Sequence, residues 1–308
     1  MQSFRIICSF IVLLLVASCA NMNVNLPPVT DTPTDARLAG KIIWHDLITD
    51  TPEESKRFYG ELFGWEFEDL GVGGSFSSVN YTLIRHNGRL IGGLVDQNLL
   101  STDADISQWV VVMSVDDIEL ASKTLVEGGG TLFNPPTNLA DRGTIAIAAD
   151  PQGALFALLQ TKTGDPLDTD NKEVGGFLWD ELWTSDVEAA TKFYQSLAPF
   201  EIEDREVEKD EQQKTYRLLS TGDKPRVGFL PNPIPDLAPI WATYIRVQDA
   251  AALDAIVARV EDLGGSLLLA PQDRAIGGRV ALIADPSGAG IAIQTWSESR
   301  QANTGEAQ

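Results

Sequence analysis

W-H-D-L-I-T-D-T-P-E-E-S-K-R-F-Y, running from Trp44 to Tyr59, returns as W-D-E-L-W-T-S-D-V-E-A-A-T-K-F-Y from Trp179 to Tyr194. Trp44, Thr49 and Phe58 each find a match 135 positions later, at Trp179, Thr184 and Phe193. The same offset joins G-T-I-A-I-A-A-D-P-Q, beginning at Gly143, to G-R-V-A-L-I-A-D-P-S, beginning at Gly278, so that Asp150 matches Asp285. Two copies of one module of roughly 125 residues therefore account for most of the chain.

Each copy reads as alternating strands and helices. Lys41 to Thr49 is apolar and β-branched, hence a strand. Thr51-Pro52-Glu53-Glu54 supplies an N-cap, a proline at the first helical position and a capping-box glutamate, and Phe58, Tyr59, Leu62 and Phe63 then fall at helical spacing up to Gly64. Strands are expected at 65–69, 78–86 and 89–95, the last two turning at Asn87-Gly88. A second unit opens at Trp109, continues through a helix near 118–127, and ends in strands 144–148 and 154–161 joined by the Asp150-Pro151-Gln152-Gly153 turn. The second copy follows the same plan from Phe177 to Trp296, its own second unit opening at Trp241. The expected layout is module 1 over 39–163, a linker over 164–175, module 2 over 176–298 and a polar tail over 299–308.

The 308 residues are 44% hydrophobic, enough for two domains that each bury a core. With 23 basic and 44 acidic residues the formal charge is −21, a field that repels phosphate backbones and argues against nucleic acid as a partner. At the N-terminus, Arg5 precedes an apolar run from Ile6 to Val16, too short to span a bilayer stably but suited to an export signal. The run ends in Val16-Ala17-Ser18-Cys19, which resembles the lipobox of bacterial lipoproteins. That resemblance implies a signal peptide over 1–18, a lipid on the Cys19 thiol, and attachment in the bacterial cell envelope, at the outer membrane facing the periplasm. Cys8 leaves with the signal, so no disulfide supports the mature chain. Residues 19–38, polar and proline-bearing, read as a flexible tether.

The first strand, the T-x-x-P-E-x-x-x-x-F-Y helix, the V-D-D helix start and the G-x6-D-P-x-G-A ending together resemble the vicinal oxygen chelate superfamily of glyoxalase I, extradiol dioxygenases and bleomycin resistance proteins. The resemblance implies an α+β fold of two tandem modules, each of two βαβββ units whose curved mixed sheets enclose a cavity. It does not fix a function, since that fold hosts lyases, dioxygenases and pure binders. Enzymes of the superfamily hold a divalent ion with a first-strand histidine and a last-strand glutamate. The matching first-strand positions here are Trp44 and Trp179, with Val110 and Ala242 in the second units, and the last-strand positions are Ala157 and Ala292. None is a metal donor, so no metal or other cofactor is expected.

His45 and His86 are the only histidines. Strand alternation puts Trp44 and Asp46 on one face and His45 on the other, so His45 reaches the cavity as a metal candidate only if a bulge reverses the strand. His86, beside Asn87-Gly88, reads as a solvent-facing hairpin residue. What remains for the cavities is aromatic rings with one acid each: Trp44, Asp46 and Trp109 in module 1, and Trp179, Glu181, Trp183 and Trp241 in module 2. A carboxylate on an apolar strand face is costly unless a cationic ligand or a nearby arginine pairs with it. Three functions stay open on these residues: a lipid-anchored, metal-independent binder of an aromatic or cationic small molecule; a lyase or dioxygenase using a metal or the catalytic candidates Asp46 and Glu181; or an interaction scaffold.

Overall fold

The computed structural model describes residues 25–70, 81–100, 102, 104–170, 172–209 and 212–296. Module 1 contains β1 (Ile42–Thr49), α1 (Pro52–Phe63), β2 (Glu66–Leu70), β3 (Tyr81–His86), β4 (Arg89–Asp96), β5 (Gln108–Ser114), α2 (Ile118–Glu127), the short β6 (Thr131–Leu132) and β7 (Thr137–Asn138), β8 (Gly143–Ala149) and β9 (Leu155–Thr161). Module 2 contains β10 (Phe177–Thr184), α3 (Val187–Leu197), β11 (Glu201–Lys209), β12 (Gln212–Thr221), β13 (Lys224–Pro231), β14 (Ile240–Val247), α4 (Ala250–Val257), β15 (Ser266–Asp273), β16 (Arg279–Ala284) and β17 (Gly290–Thr295).

Each module forms one curved mixed sheet, in the order β2-β3-β4-β1-β5-β9-β8-β6 for the first and β11-β12-β13-β10-β14-β17-β16-β15 for the second. The two βαβββ halves of a module meet at an antiparallel central pair, β1 with β5 and β10 with β14. Pairing within each half is parallel where a helix crosses over, as between β1 and β4. The α+β architecture and the repeat are as expected. At the start of α1, Thr51 makes no side-chain cap; Thr49 Oγ1 instead accepts from the Thr51 amide at 3.1 Å and pairs with Ser55 Oγ at 2.9 Å, while Gly64 closes the helix in the left-handed region.

The cores are not divided one per module. One cluster joins Leu47, Phe58, Tyr59, Trp65 and Trp109 of module 1 to Ile245, Val247, Leu253 and Ile293 of module 2. A second joins Val111, Met113, Leu125 and Phe156 to Leu182, Phe193, Tyr194, Phe229 and Trp241. The sheets thus pack through their outer faces, with α1 and α4 in one shared core and α2 and α3 in the other. Two further clusters are private and line the inner faces, around Trp44 in module 1 and around Trp183 and Tyr244 in module 2. The hairpin turns add polar ties across the boundary: Ser55 Oγ of α1 donates to Asp285 at 2.8 Å, and Gln152 accepts from the Asp186 amide at 2.7 Å at the head of α3.

Two segments depart from the sequence reading. Residues from Leu26 onward, read as tether, lie on module 1, because Leu26 and Val29 are apolar enough to join its inner core. Thr34 and Asp35 donate their amides to Thr163 O, and Leu38 donates to the buried Asp165 carboxylate at 2.7 Å. His86 is buried rather than solvent-facing: the Asn87-Gly88 turn forms as expected, but the chain before β10 covers the ring, which meets Val174 O at 2.8 Å. The Cys19 and signal-peptide expectations, and the polar tail, lie outside the described residues.

Candidate functional site

Cross-strand register decides which side chains reach the inner faces. In module 1, Trp44 pairs with Val112, Asp46 with Val110, and Val112 with Ala157, so these residues share one side of the sheet. In module 2 the same side carries Trp179 opposite Tyr244, Glu181 opposite Ala242, and Ala292 opposite Tyr244. Trp183, two residues beyond Glu181, shares this face and joins the private core. The expected grouping of Trp44 with Asp46, and of Trp179, Glu181 and Trp183, is therefore how these residues are arranged.

Trp109 and Trp241 must be removed from it. Leu47 pairs with Trp109 and Leu182 with Trp241, which turns both indoles to the outer faces. There each donates its indole N–H to a helix tyrosine, Trp109 to Tyr59 at 2.8 Å and Trp241 to Tyr194 at 3.0 Å, inside the shared cores. His45 also points outward. Its Nε2 meets Asp180 Oδ1 at 2.9 Å, its ring stacks on Phe177 at 3.9 Å between centroids, and Thr243 Oγ1 donates to the same Asp180 oxygen at 2.8 Å. His45 and Asp180 occupy equivalent positions of the repeat, so one pair of equivalent side chains closes the boundary between modules. A register shift does occur in β1, but it lies at Ile43, before Trp44, and leaves the face of His45 unchanged.

Around each inner carboxylate the structure builds a polar network. Glu181 is 0% exposed, and its two oxygens accept from Tyr216 at 2.9 Å, Arg274 at 2.7 Å, Trp183 at 3.2 Å and Tyr244. Trp179 donates to the Tyr216 hydroxyl at 2.8 Å, and Arg274 also holds Gln294 at 2.6 Å. In module 1, Asp46 Oδ1 accepts from Tyr81 at 2.6 Å and from Trp44 at 3.0 Å. The Tyr81 hydroxyl in turn accepts from Arg142 Nη1 at 2.7 Å, and the Arg142 guanidinium lies 4.3 Å over the Trp44 ring. The cation required by each acid is thus supplied from within the chain, directly in module 2 and through Tyr81 in module 1.

Burial, together with the adjacent Glu181 charge, pushes the Tyr216 and Tyr244 phenols far above their ordinary range. Burial raises Tyr81 likewise, partly offset by Arg142. These phenols therefore remain donors across the working pH range and hold the carboxylates as acceptors. Burial acts against the Arg274 charge, but Glu181 outweighs it and keeps the guanidinium protonated. A carboxylate whose oxygens already take four donors has little capacity left to remove a substrate proton, so Glu181 is a poor general base in this arrangement.

Tyr81, Tyr216, Gly93, Gly228, Arg142 and Arg274 complete these networks and lie outside the strands β1 and β10 that the sequence singles out. Tyr81 matches Tyr216, and Gly93 matches Gly228, at the 135-residue offset, which was an available signal. Gly93 pairs with Asp46, and Gly228 with Glu181. A Cβ at either glycine would overlap the tyrosine hydroxyl crossing above it. The arginines carried no such signal, since the offset matches Arg142 to Gly277 and Arg274 to Leu139.

The divalent ion that the resemblance implies does not suit this donor set. Trp44 and Ala157 share one inner core and Trp179 and Ala292 the other, so the positions expected to carry ligands do converge, but they bring indoles and methyl groups. Among the described residues no three His, Cys, Asp or Glu side chains come together as a metal site.

Similarity to known proteins agrees with the fold. The chain is 29% identical over 246 residues to the protein called "Putative glyoxylase CFP32" of Mycobacterium bovis, covering 80% of this chain and 91% of that one. It is 28% identical over 289 residues to the anthracycline biosynthesis protein DnrV of Streptomyces peucetius, covering 87% and 98%. Among solved structures, the Mn(II)-bound glyoxalase from Novosphingobium aromaticivorans superposes with a TM-score of 0.55 at 16% identity, over 84% of this chain and 83% of that one. A catechol 2,3-dioxygenase superposes with a TM-score of 0.53 at 16% identity, over 84% and 93%; at such identity the likeness speaks for the fold alone. The profile of the Glyoxalase/Bleomycin resistance protein/Dioxygenase superfamily matches residues 41–158 and again 176–293, one match per module, and the chain belongs to that superfamily.

Proposed function

We propose that the chain is a metal-independent small-molecule-binding member of the superfamily, held in the bacterial cell envelope by a lipid on Cys19. The observation that carries the binding reading is the replacement of the donor set: inner faces lined by Trp44 and Ala157, and by Trp179 and Ala292, with Tyr–carboxylate–Arg networks beside them. Indoles beside fixed donors and acceptors suit a flat molecule with a few polar substituents. The likeness to an anthracycline biosynthesis protein supports an aromatic ligand, since anthracyclines are flat fused rings. The internal pairing of Glu181 with Arg274 speaks against a cationic one.

The test combines elemental analysis after dialysis without chelator with a fluorescence screen of flat aromatic compounds, read through the seven tryptophans. Saturable quenching in protein that carries no stoichiometric Mn, Fe, Ni or Zn is the expected result. About one metal per chain, lost on His45→Ala, would favour the enzyme reading that the mycobacterial relative's name suggests. Absence of saturable quenching across the screen would favour a scaffold.

A further inference from the structure

The two inner faces differ at the point where arginine meets its acid. In module 2 the Glu181 carboxylate bonds Arg274 directly, and Tyr244 stands beside it. In module 1 two smaller residues take those places: aspartate at position 46, and Val112 opposite Trp44 where module 2 has Tyr244 opposite Trp179. Asp46 bonds the Tyr81 hydroxyl and the Trp44 indole but not Arg142, and among the described residues no carboxylate lies within ion-pair range of Arg142. Arg142 is 2% exposed, its Nε donates to Pro27 O at 3.0 Å and its Nη1 to Tyr81, yet among the described residues its Nη2 has no acceptor. An unpaired buried guanidinium donor is a costly state. Among the described residues the bonds to Asp46 fall on its Oδ1, from Trp44 and Tyr81, and none joins it to Arg142.

We infer that the inner face of module 1 binds a small organic carboxylate at Arg142, the ligand's acid group taking the place that the Glu181 carboxylate fills in module 2. The inference rests on the small-molecule reading above and names the chemical class for one of its two sites. Guanidinium is suited to the task because its planar fork meets a carboxylate oxygen with a directed, charge-assisted bond. Trp44, against which Arg142 already lies, gives the ligand's carbon frame an apolar wall. The cover is the segment around Leu26 and Val29, which packs into the same cluster and must lift for entry. Module 2 offers no equivalent place, since its arginine is already paired.

Calorimetric titration of the full chain with benzoate, benzamide and benzylamine tests this. Benzoate should bind saturably, and the neutral and cationic analogues at least about tenfold more weakly, the discrimination expected when a charge-assisted bond is lost. Asp46→Glu rebuilds the module 2 arrangement and should weaken benzoate at least about tenfold while leaving the melting temperature unchanged or higher. Should that variant not fold, Arg142→Lys replaces it, with a similar loss expected because the fork is gone. Benzamide or benzylamine binding as well as benzoate, or benzoate indifferent to both substitutions, would overturn the inference. If benzoate fails while flat neutral aromatics bind, the carboxylate class falls and the binding reading stands; if nothing binds, both fall.

Discussion

Glu181→Gln is the substitution whose cost the structure specifies most fully. The side chain is 0% exposed and each of its oxygens takes two donors. Glutamine keeps one acceptor oxygen and turns the other into an NH2 that confronts two donors. A tyrosine can rotate its hydroxyl to accept instead, but the Trp183 indole N–H and the Arg274 guanidinium cannot. Arg274, its side chain 11% exposed, also loses the ionic partner 2.7 Å away. Breaking a buried pair in this way costs about 3–5 kcal/mol, which at roughly 2 °C per kcal/mol for a chain of this size lowers the melting temperature by about 6–10 °C. Asp46→Asn should cost only about 1 kcal/mol, because Asp46 is half-buried and bonds neutral donors. Removing both charges together, as Glu181→Leu with Arg274→Met, should recover only part of the loss, since no charge is then stranded but the Tyr216, Tyr244 and Trp183 donors still lose their acceptor. Urea melts followed by circular dichroism provide the assay. A Glu181→Gln cost below about 1 kcal/mol, or one equal to that of Asp46→Asn, would show that water reaches the pair and that no buried charge is stranded.

Gly228→Ala places a methyl group on the Tyr216 hydroxyl and should cost about 1–3 kcal/mol, as should Gly93→Ala beneath Tyr81; unchanged urea midpoints would contradict the close approach. Partial burial favours protonation of Asp168, but bonds from Arg226 and Lys41 outweigh it and hold the carboxyl at about 2. The folded value thus lies below the unfolded value of about 3.9, so the stabilisation is complete above that pH and disappears as pH falls through the folded value, about 1–2 kcal/mol after screening. Asp168→Asn should flatten this part of the acid melting profile, and a profile that keeps its wild-type slope would rule the contribution out. Cys19→Ala should leave the chain unprocessed or soluble on membrane fractionation; unchanged partitioning into membranes would dispose of the lipid anchor.

The legible part of the fold was its local part. Pro52 and Gly64 bracket a helix because ring geometry and the left-handed cap act within a few residues, and the Asp150 turn forms because its side chain accepts from the amides of Gln152 and Ala154, at 2.9 Å each. The face of β1 was legible for the same reason: alternation is a property of the strand itself, so Trp44 and Asp46 point one way and His45 the other. The placement of Trp109 and Trp241 was not. Which side of the sheet they occupy depends on how β5 and β14 slide against β1 and β10, and a one-residue change in register reverses every side chain. His86 escaped for a related reason, since its cover at Val174 is 88 residues away in the chain.

The two arginines reach equivalent networks from positions that are not equivalent in the repeat. Arg142 directly precedes β8, whereas Arg274 stands five residues ahead of β16, and the loop between leads the chain back through Gly277 and Gly278. Two different loop paths therefore bring a guanidinium to the tyrosine–carboxylate pair at the same place in the repeat. A duplicated fold would supply matched strands and matched glycines without further cause; it would not by itself supply matched cations from unmatched positions. The cause lies in the carboxylates, since an acid on the inner face of a central strand is stable only with positive charge close by. Once Glu181 is satisfied by direct contact, its arginine is already paired. Asp46, one methylene shorter, leaves the corresponding arginine with a donor unmet among the described residues, and the difference between the two inner faces reduces to that methylene and the exchange of Tyr244 for Val112.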